Sequence, residues 1–280
     1  MQARIGGRTR IIALLGVPTV TFKSPLIYNP WFRNRSIDCI MVPMGCEAAD
    51  FRAFLPLVFR LRNIAGALVT MPHKVAAAGL LDEAGLAVDI CGSCNAVKRD
   101  GNGRLVGDMF DGEGFVAGLR GKGREVRGTS ALVVGSGGVG SAIAASLAQA
   151  GARRLALFDI DGEACDRLAG RLRPHYPDLV LETGSNDPQG HDIVVNATPV
   201  GMKPDDSLPM DAERIVPGSF VGDVVLAQEE TPFLAAARAR GCLTQAGIDM
   251  VFEQVPACLE FFGFPTAAPE ELRRLAELED

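Results

Sequence analysis

The sequence predicts an α/β protein of two domains closed by a helical tail. Three observations predict it. A chain of 280 residues, at ~100–200 residues per domain, fits two domains better than one or three. Short apolar runs alternate with helically spaced apolar residues, the pattern of a mainly parallel sheet with helical crossovers. The segment Gly118–Gly128 holds four glycines, three arginines and one lysine with few apolar anchors, and reads as a seam.

The elements follow in order. Arg10–Gly16 and Asp38–Pro43 read as strands, and Glu47–Ile64 carries helical spacing through Phe51, Phe54, Leu55, Val58, Phe59 and Leu61. Gly66–Met71 is a strand ended by Pro72, and Thr70-Met71-Pro72-His73-Lys74 opens a helix. Ser93–Arg99 and Arg104–Met109 read as a strand pair around the turn Asp100-Gly101-Asn102-Gly103. Past the seam, Ser130–Val134 is a buried-strand run and Gly138–Ala150 a helix of small residues. Arg154–Asp159 is a strand, Gly162–Leu172 a helix, and His191–Ala197 and Phe220–Leu226 are further strands. Met250–Leu278 reads as two helices split near Gly263-Phe264-Pro265.

Composition excludes several classes. Hydrophobic residues make up 48% and charged residues 22%, ordinary for a folded chain. The net charge of −6 argues against a nucleic-acid partner, which needs a basic face. No apolar run reaches the ~18 residues of a membrane span. The N-terminal segment carries Arg4, Arg8 and Arg10, but the apolar run after them is short and reads as a strand rather than a signal peptide. Seven cysteines are an odd number in a large chain, so thiols in a reduced, cytoplasmic setting fit better than a disulfide framework. The 32 glycines follow no period and point to turns and close backbone approaches.

Gly135-Ser136-Gly137-Gly138-Val139-Gly140 satisfies G-x-G-x-x-G, with the strand run Ala131–Val134 before it and a helical run after it. Gly135 suits the tight turn, Gly137 the approach of a pyrophosphate and Gly140 close helix–strand packing. The helix N-terminus offers free N–H groups to the anion. Asp159 lies 24 positions after Gly135, near the ~20 expected of the acid that accepts both ribose hydroxyls. Its carboxylate would repel a 2′-phosphate, and Asp161 adds a second negative charge. Arg153 and Arg154 precede the strand and belong at its far end. NAD is therefore favoured over NADP.

Combined, the motifs resemble the shikimate/quinate dehydrogenase family over nearly the whole chain. They are Gly16-Val17-Pro18, Ser24-Pro25 with Asn29, Pro72-His73-Lys74, Ser93-Cys94-Asn95 and Asp111-Gly112, then the glycine fingerprint. Asn196-Ala197-Thr198-Pro199-Val200-Gly201-Met202, Thr231-Pro232-Phe233-Leu234 and Gln254 complete the series. The resemblance implies Lys74 and Asp111 as a catalytic pair. Oxidising a secondary alcohol moves a hydride to the nicotinamide and a proton to a base, and a lysine in a low-polarity cleft can carry that proton. A neighbouring carboxylate opposes the lowering of the lysine pKa but fixes the ammonium, so either group could take the proton. The resemblance further implies Ser24, Thr70, Asn95 and Gln254 at the substrate, and Asn196, Thr198, Pro199 and Gly247 at the cofactor beside the fingerprint.

This sequence departs from the family where Phe22 replaces the first serine of a Ser-x-Ser pair. It departs again at Leu68 (an asparagine in the family), Met109-Phe110 (Asn-Thr) and Leu226 (a tyrosine). Apolar side chains at positions that hold a carboxylate and a polyol imply a less polar hydroxy acid, with Lys23 able to replace the lost serine in part.

Other residues carry less. Cys91-x-x-Cys94 lacks a second ligand pair, no cluster supports a metal, and the cysteines read as buried small thiols. His73 reads as helping to begin a helix, His175 and His191 as surface residues, and the acidic C-terminus as a solvated helix face. The reading is thus an α/β substrate domain, residues 1–115, supplying Lys74 and Asp111. A Rossmann-type dinucleotide-binding domain, 116–246, follows, and helices from 247–280 pack back on the first domain with Gln254. Substrate and nicotinamide are expected between domains. The expected protein is an NAD(P)-dependent dehydrogenase of a small hydroxy acid, monomer or homodimer, with no nucleic-acid or membrane partner. A dinucleotide-binding regulator and a methylenetetrahydrofolate-like dehydrogenase are the alternatives. Retention of Lys74 and Asp111 weighs against the first, and the order of the motifs against the second.

Overall fold

A computed structural model describes residues 5–203, 205–226, 228 and 230–278. Arg4 and the last two residues of the acidic tail lie outside the described residues. The chain divides into two units. Unit 1 takes residues up to Val88, Gly92–Phe110 and the chain from Val255, and unit 2 takes Asp89–Cys91 and Asp111–Gln254.

Unit 1 is built on a sheet ordered β2-β1-β3-β5-β6-β4. Its strands are β1 (Arg10–Gly16), β2 (Cys39–Gly45), β3 (Ile64–Val69), β4 (Glu83–Ala84), β5 (Ala96–Arg99) and β6 (Leu105–Asp108). Its helices are α1 (Pro25–Asn34), α2 (Ala48–Val58) and α3 (Lys74–Ala78), and α4 (Leu86–Cys91) ends in unit 2. The central strand β1 is buried from Ile12 to Gly16 and pairs in parallel with β2 and β3.

The sheet is mainly parallel, as expected, with β5 running antiparallel to both β3 and β6. The hairpin after Arg99 accounts for the β5–β6 pair. Asp100 Oδ1 accepts the N–H groups of Asn102 and Arg104, both at 2.9 Å, and reverses the chain by an Asx-type turn. The helix expected over Glu47–Ile64 stops at Val58, since residues 59–63 turn the chain into β3, which begins at Ile64.

Unit 2 carries α5 (Asp111–Gly121), β7 (Ser130–Val134), α6 (Gly138–Gln149), β8 (Arg154–Phe158), α7 (Gly162–Leu172) and β9 (Val180–Thr183). The strands β10 (Ile193–Asn196), β11 (Phe220–Asp223) and β12 (Leu243–Gln245) follow, with α8 (Pro232–Ala239) before β12. The helix α9 (Gly247–Phe261) starts here and continues into unit 1, where α10 (Pro269–Leu275) follows. The sheet order is β12-β11-β10-β7-β8-β9, and every strand pair is parallel.

Strict alternation along β7 and β10 builds two cores. Ala131, Val133, Ile193 and Val195 enter one with Phe115, Ile143 and Leu168. Leu132, Val134 and Val194 enter the other with Ile215 and Phe233. The strand order reverses between β7 and β10, and such a switch point is where open α/β sheets place ligands.

The seam expected over Gly118–Gly128 begins later than expected, because residues through Gly121 belong to α5. Three glycines of α5, Gly112, Gly114 and Gly118, are contact surfaces. A Cβ on Gly112 would stand 2.1 Å from Ala142 O of α6, and one on Gly114 2.7 Å from Met250 O of α9. The boundary expected after residue 115 therefore falls inside α5, so Asp111 clusters with unit 2 and not with the first domain. The expected C-terminal block also divides, with Gly247–Gln254 in unit 2 and Val255 onward in unit 1, because α9 is a single helix shared by both.

Candidate active site

The glycine loop leaves β7 at the switch point. Gly135 has φ +106°, open to glycine at little cost, and its N–H donates to Phe158 O at 2.7 Å. A Cβ on Gly140 would sit 1.9 Å from Gly135 O, so the start of α6 lies against the loop. At Gly137 a Cβ would meet nothing within 4 Å. A close-packed floor and an open approach at the N-terminus of a 12-residue helix fit a pyrophosphate.

Asp159 closes the loop from β8. Its Oδ2 accepts the Ser136 N–H at 2.7 Å and its Oδ1 accepts the Asp161 N–H at 3.0 Å. Each oxygen keeps a lone-pair site for a further donor. Asp161 does other work. It caps α7, accepting from Glu163 N at 3.1 Å and Ala164 N at 3.4 Å, and Arg167 pairs with it at 3.1 Å. Ile160, between them, is 98% exposed. Arg154 opens β8 and donates through Nε to Glu182 at 2.9 Å, at the end of the strand away from the loop.

Beside the loop, Asn196 ends β10 fully buried. Its Oδ1 accepts the Thr198 N–H at 3.1 Å and the Thr198 hydroxyl at 2.7 Å. Its Nδ2 donates to Val200 O and to Asp223 Oδ1, both at 3.0 Å. Thr198 Oγ1 accepts the Val200 N–H at 3.1 Å, and Pro199 is exposed. Gly247 opens α9 where a Cβ would stand 2.6 Å from Val224 O.

In unit 1, two of the predicted substrate residues, Phe22 and Thr70, lie together at the ends of β1 and β3. A Cβ on Gly16 would lie 2.4 Å from Thr70 Cγ2 and 3.1 Å from Phe22 Cζ, so the Phe22 ring and Thr70 flank the same glycine. The Cys94 N–H donates to Lys74 O at 2.9 Å, which ties the start of α3 to the Ser93–Asn95 segment. Asn95 is buried, and its Oδ1 accepts the Phe110 N–H at 3.0 Å. Lys74, Ser24 and Lys23 are half-buried. Ser24 precedes α1, and Asn29 within that helix brackets the Met41 backbone, donating to its O at 3.0 Å and accepting from its N–H at 2.7 Å. Unit 2 holds Asp111, buried at the first position of α5, and Gln254 on α9, whose Cβ lies 2.8 Å from a Cβ built on Gly114.

The apolar replacements divide by exposure. Leu68, Met109 and Phe110 are buried, and the Phe110 ring packs edge-on to Phe261 at 5.6 Å. Phe22 is half-buried, and Leu226 is 37% exposed. Phe22 and Leu226 are the two whose side chains retain open surface.

One histidine, His191, differs from expectation. His191 is buried, not on the surface, and its Nδ1 shares a hydrogen bond of 2.9 Å with Ser130 Oγ. Burial, then Arg154, push its pKa down. His73 is the N-cap residue of α3, where its O accepts the Ala77 N–H at 2.8 Å and its side chain makes no capping bond. It is buried, its Nε2 lies 2.7 Å from Cys46 O, and its ring stacks on Phe51 at 4.1 Å. All seven cysteines are free and buried.

Sequence reasoning missed Asp223, buried at the end of β11. Its Oδ1 accepts from Asn196 and from the Val225 N–H at 3.1 Å, and its Oδ2 accepts the Thr231 hydroxyl at 2.7 Å. Burial pushes its carboxyl up, and those three donors oppose the shift. The available signal was an aspartate within an apolar strand run.

The geometry agrees with what the chain resembles. The family model for the shikimate dehydrogenase substrate-binding domain matches residues 14–97. Shikimate dehydrogenase (NADP(+)) of Acidiphilium cryptum is 33% identical over 275 residues, covering 96% of each chain. Among solved structures, Listeria monocytogenes shikimate 5-dehydrogenase in complex with shikimate and NAD has a TM-score of 0.88 at 25% identity. It spans 98% of this chain and 99% of its own. Quinate dehydrogenase from Corynebacterium glutamicum in complex with NAD has a TM-score of 0.83 at 28% identity, spanning 95% and 98%. With a relative this similar along nearly its full length, the chain belongs to the shikimate/quinate dehydrogenase family of oxidoreductases acting on CH–OH groups.

Proposed function

We propose that the protein oxidises, reversibly and with a nicotinamide dinucleotide, a ring hydroxyl of a cyclic hydroxy acid related to shikimate or quinate but less polar. The observation that carries the reading is the glycine cradle at the switch point with Asp159 docked on it through the Ser136 N–H. The bound dinucleotide supplies the hydride acceptor. The residues of the chain bind, orient and move the proton. Lys74 and Asp111 form the catalytic pair, one group taking the hydroxyl proton while the other holds it in place. Ser24, Thr70, Asn95 and Gln254 orient the substrate by hydrogen bonds. Phe22, beside Thr70, covers part of the ring that a second hydroxyl would otherwise occupy.

NAD is the favoured cofactor. The spare acceptor capacity of Asp159 suits a ribose diol, its charge opposes a 2′-phosphate, and the residue after it is Ile160 rather than a base. The deciding experiment is a steady-state screen of shikimate, quinate and less hydroxylated ring acids, each with NAD and NADP. The expected result is turnover of a less hydroxylated acid with NAD and little turnover of shikimate. Equal or better use of NADP would overturn the cofactor reading. Dinucleotide binding without turnover of any acid would leave a regulator.

A further inference from the structure

We propose that Asp223 is a positioning residue that reinforces the hydrogen-bond polarity of the loop Asn196–Gly201 and locks it to the loop between β11 and α8. The proposal rests on the reading of Asn196 and Thr198 as dinucleotide contacts.

A buried carboxylate is costly unless its oxygens are satisfied. β11 is otherwise Phe-Val-Gly, and all four of its residues are buried, so an apolar side chain would fill this place with less expense. The carboxylate supplies direction instead. It can only accept, so with Val200 O it requires the NH2 of Asn196 on its side. That choice turns Asn196 Oδ1 the other way, onto the Thr198 N–H and hydroxyl. The hydroxyl proton of Thr198 is then spent, and its oxygen accepts the Val200 N–H. What Thr198 Oγ1 has left for a ligand is a lone pair. It therefore suits a neutral donor, such as a ribose hydroxyl or a carboxamide NH2, and not a phosphate oxygen.

The same carboxylate holds the other loop. It accepts the Val225 N–H and the Thr231 hydroxyl. Thr231 in turn caps α8 by accepting the Leu234 N–H at 3.2 Å. A second bond runs between the loops, from Gln228 Nε2 to Gly201 O at 3.2 Å. The two loops thus share one buried anchor, and without it the Asn196 amide would be held only by the Val200 O and the Thr198 N–H and hydroxyl.

The test measures binding of NAD and NADH by titration calorimetry on the full chain, beside thermal unfolding. Asp223→Ala should weaken both about tenfold, the scale of one lost directional hydrogen bond. Asp223→Asn keeps an acceptor toward Asn196 and Val225 and lets Thr231 accept from its NH2. It should restore the affinity to within about threefold. A purely structural role would lower the melting temperature without changing the affinity of the folded protein, and that result overturns the proposal. Should Asp223→Ala not fold, Asp223→Ser makes the same comparison with a single hydroxyl. Thr198→Val separates the two levels. If it leaves the affinities unchanged, the loop does not contact the dinucleotide and the underlying reading fails. If it weakens them while the Asp223 variants do not, the assignment of Asp223 alone fails.

Discussion

Adding one methyl group at Gly137 or at Gly140 should give opposite signatures, although the two positions are three residues apart. At Gly140 the new carbon would stand 1.9 Å from Gly135 O, a backbone atom that no rotamer can move. Restoring a contact of ~3.5 Å requires α6 or the loop to shift by more than about 1 Å. Overpacking of this kind costs about 1–3 kcal/mol. At about 2–4 °C per kcal/mol for a domain of this size, Gly140→Ala should lower the melting temperature by about 2–12 °C. It should also weaken dinucleotide binding, because the loop it displaces is the cradle.

At Gly137 the added carbon meets nothing within 4 Å, and φ is −71°, which alanine adopts freely. Alanine is a poorer N-cap than glycine by several tenths of a kcal/mol, while the stiffer unfolded chain returns about 0.4–1 kcal/mol. Gly137→Ala should therefore leave stability nearly unchanged. It should still weaken binding sharply, since the methyl group occupies the space through which a pyrophosphate approaches the backbone. Differential scanning calorimetry and NADH titration of both variants read the two effects separately. Wild-type affinity in Gly137→Ala would refute the placement of the pyrophosphate, and wild-type stability in Gly140→Ala would refute the close approach.

Other expectations concern unit 1 and the surface. Lys74→Ala should reduce kcat by about 10²–10⁴ with an unchanged melting temperature, and near-normal turnover would remove lysine from the chemistry. Phe22→Ser should raise kcat/KM for shikimate. Met109→Asn, at a side chain only 3% exposed, should cost stability by burying an amide, with no gain in turnover needed to explain the loss. Asp187 is held down to about 2, first by the hydrogen bonds from Arg214. Because its folded-state pKa is depressed, its stabilising contribution is complete above the ordinary carboxylate value and is lost as pH falls through about 2. In Arg214→Gln the Asp187 carboxyl should titrate back toward its ordinary value, as followed by carbonyl-carbon NMR. An unmoved titration would show that another group holds it.

The legible parts of the molecule were those written in local pattern. The strand–glycine–helix–strand–acid run from Ser130 to Asp159 needs about one turn of information at each step, and Ser130–Val134 and Gly162–Leu172 match β7 and α7 residue for residue. The helix α1 was invisible because Pro30 lies inside it and its buried face is aromatic, Tyr28, Trp31 and Phe32, so neither propensity nor the usual aliphatic period marks it. Along α5 the misreading has a different source. Glycine is a poor helix former, yet Gly112, Gly114 and Gly118 are there because neighbouring groups on α6, α9 and β12 come too close for a side chain. Tertiary packing decides that segment, and no window of sequence contains its partners. His191 was misplaced for the same reason. Its partner, Ser130, lies 61 residues away.

On the proposed reading the site divides into groups that meet a ligand and groups that aim them, and the first kind has the stronger sequence signature. Asp159 belongs to both. On the proposed reading it would accept the ribose hydroxyls, and it accepts the N–H of Ser136 within the glycine fingerprint. Asp223, at the end of β11 on the other side of the switch point, accepts three donors and shapes the adjoining loop. On that reading Asp159 joins selectivity to loop order, whereas Asp223 serves loop order alone. Replacing Asp159 with arginine would add the charge a 2′-phosphate needs, but it would also leave the Ser136 N–H without its acceptor. The expected result is a shift toward NADP with both dinucleotides bound more weakly. A base introduced at Ile160, which is exposed and holds no part of the loop, should move the preference with less loss of affinity, because it leaves the Asp159 clasp intact.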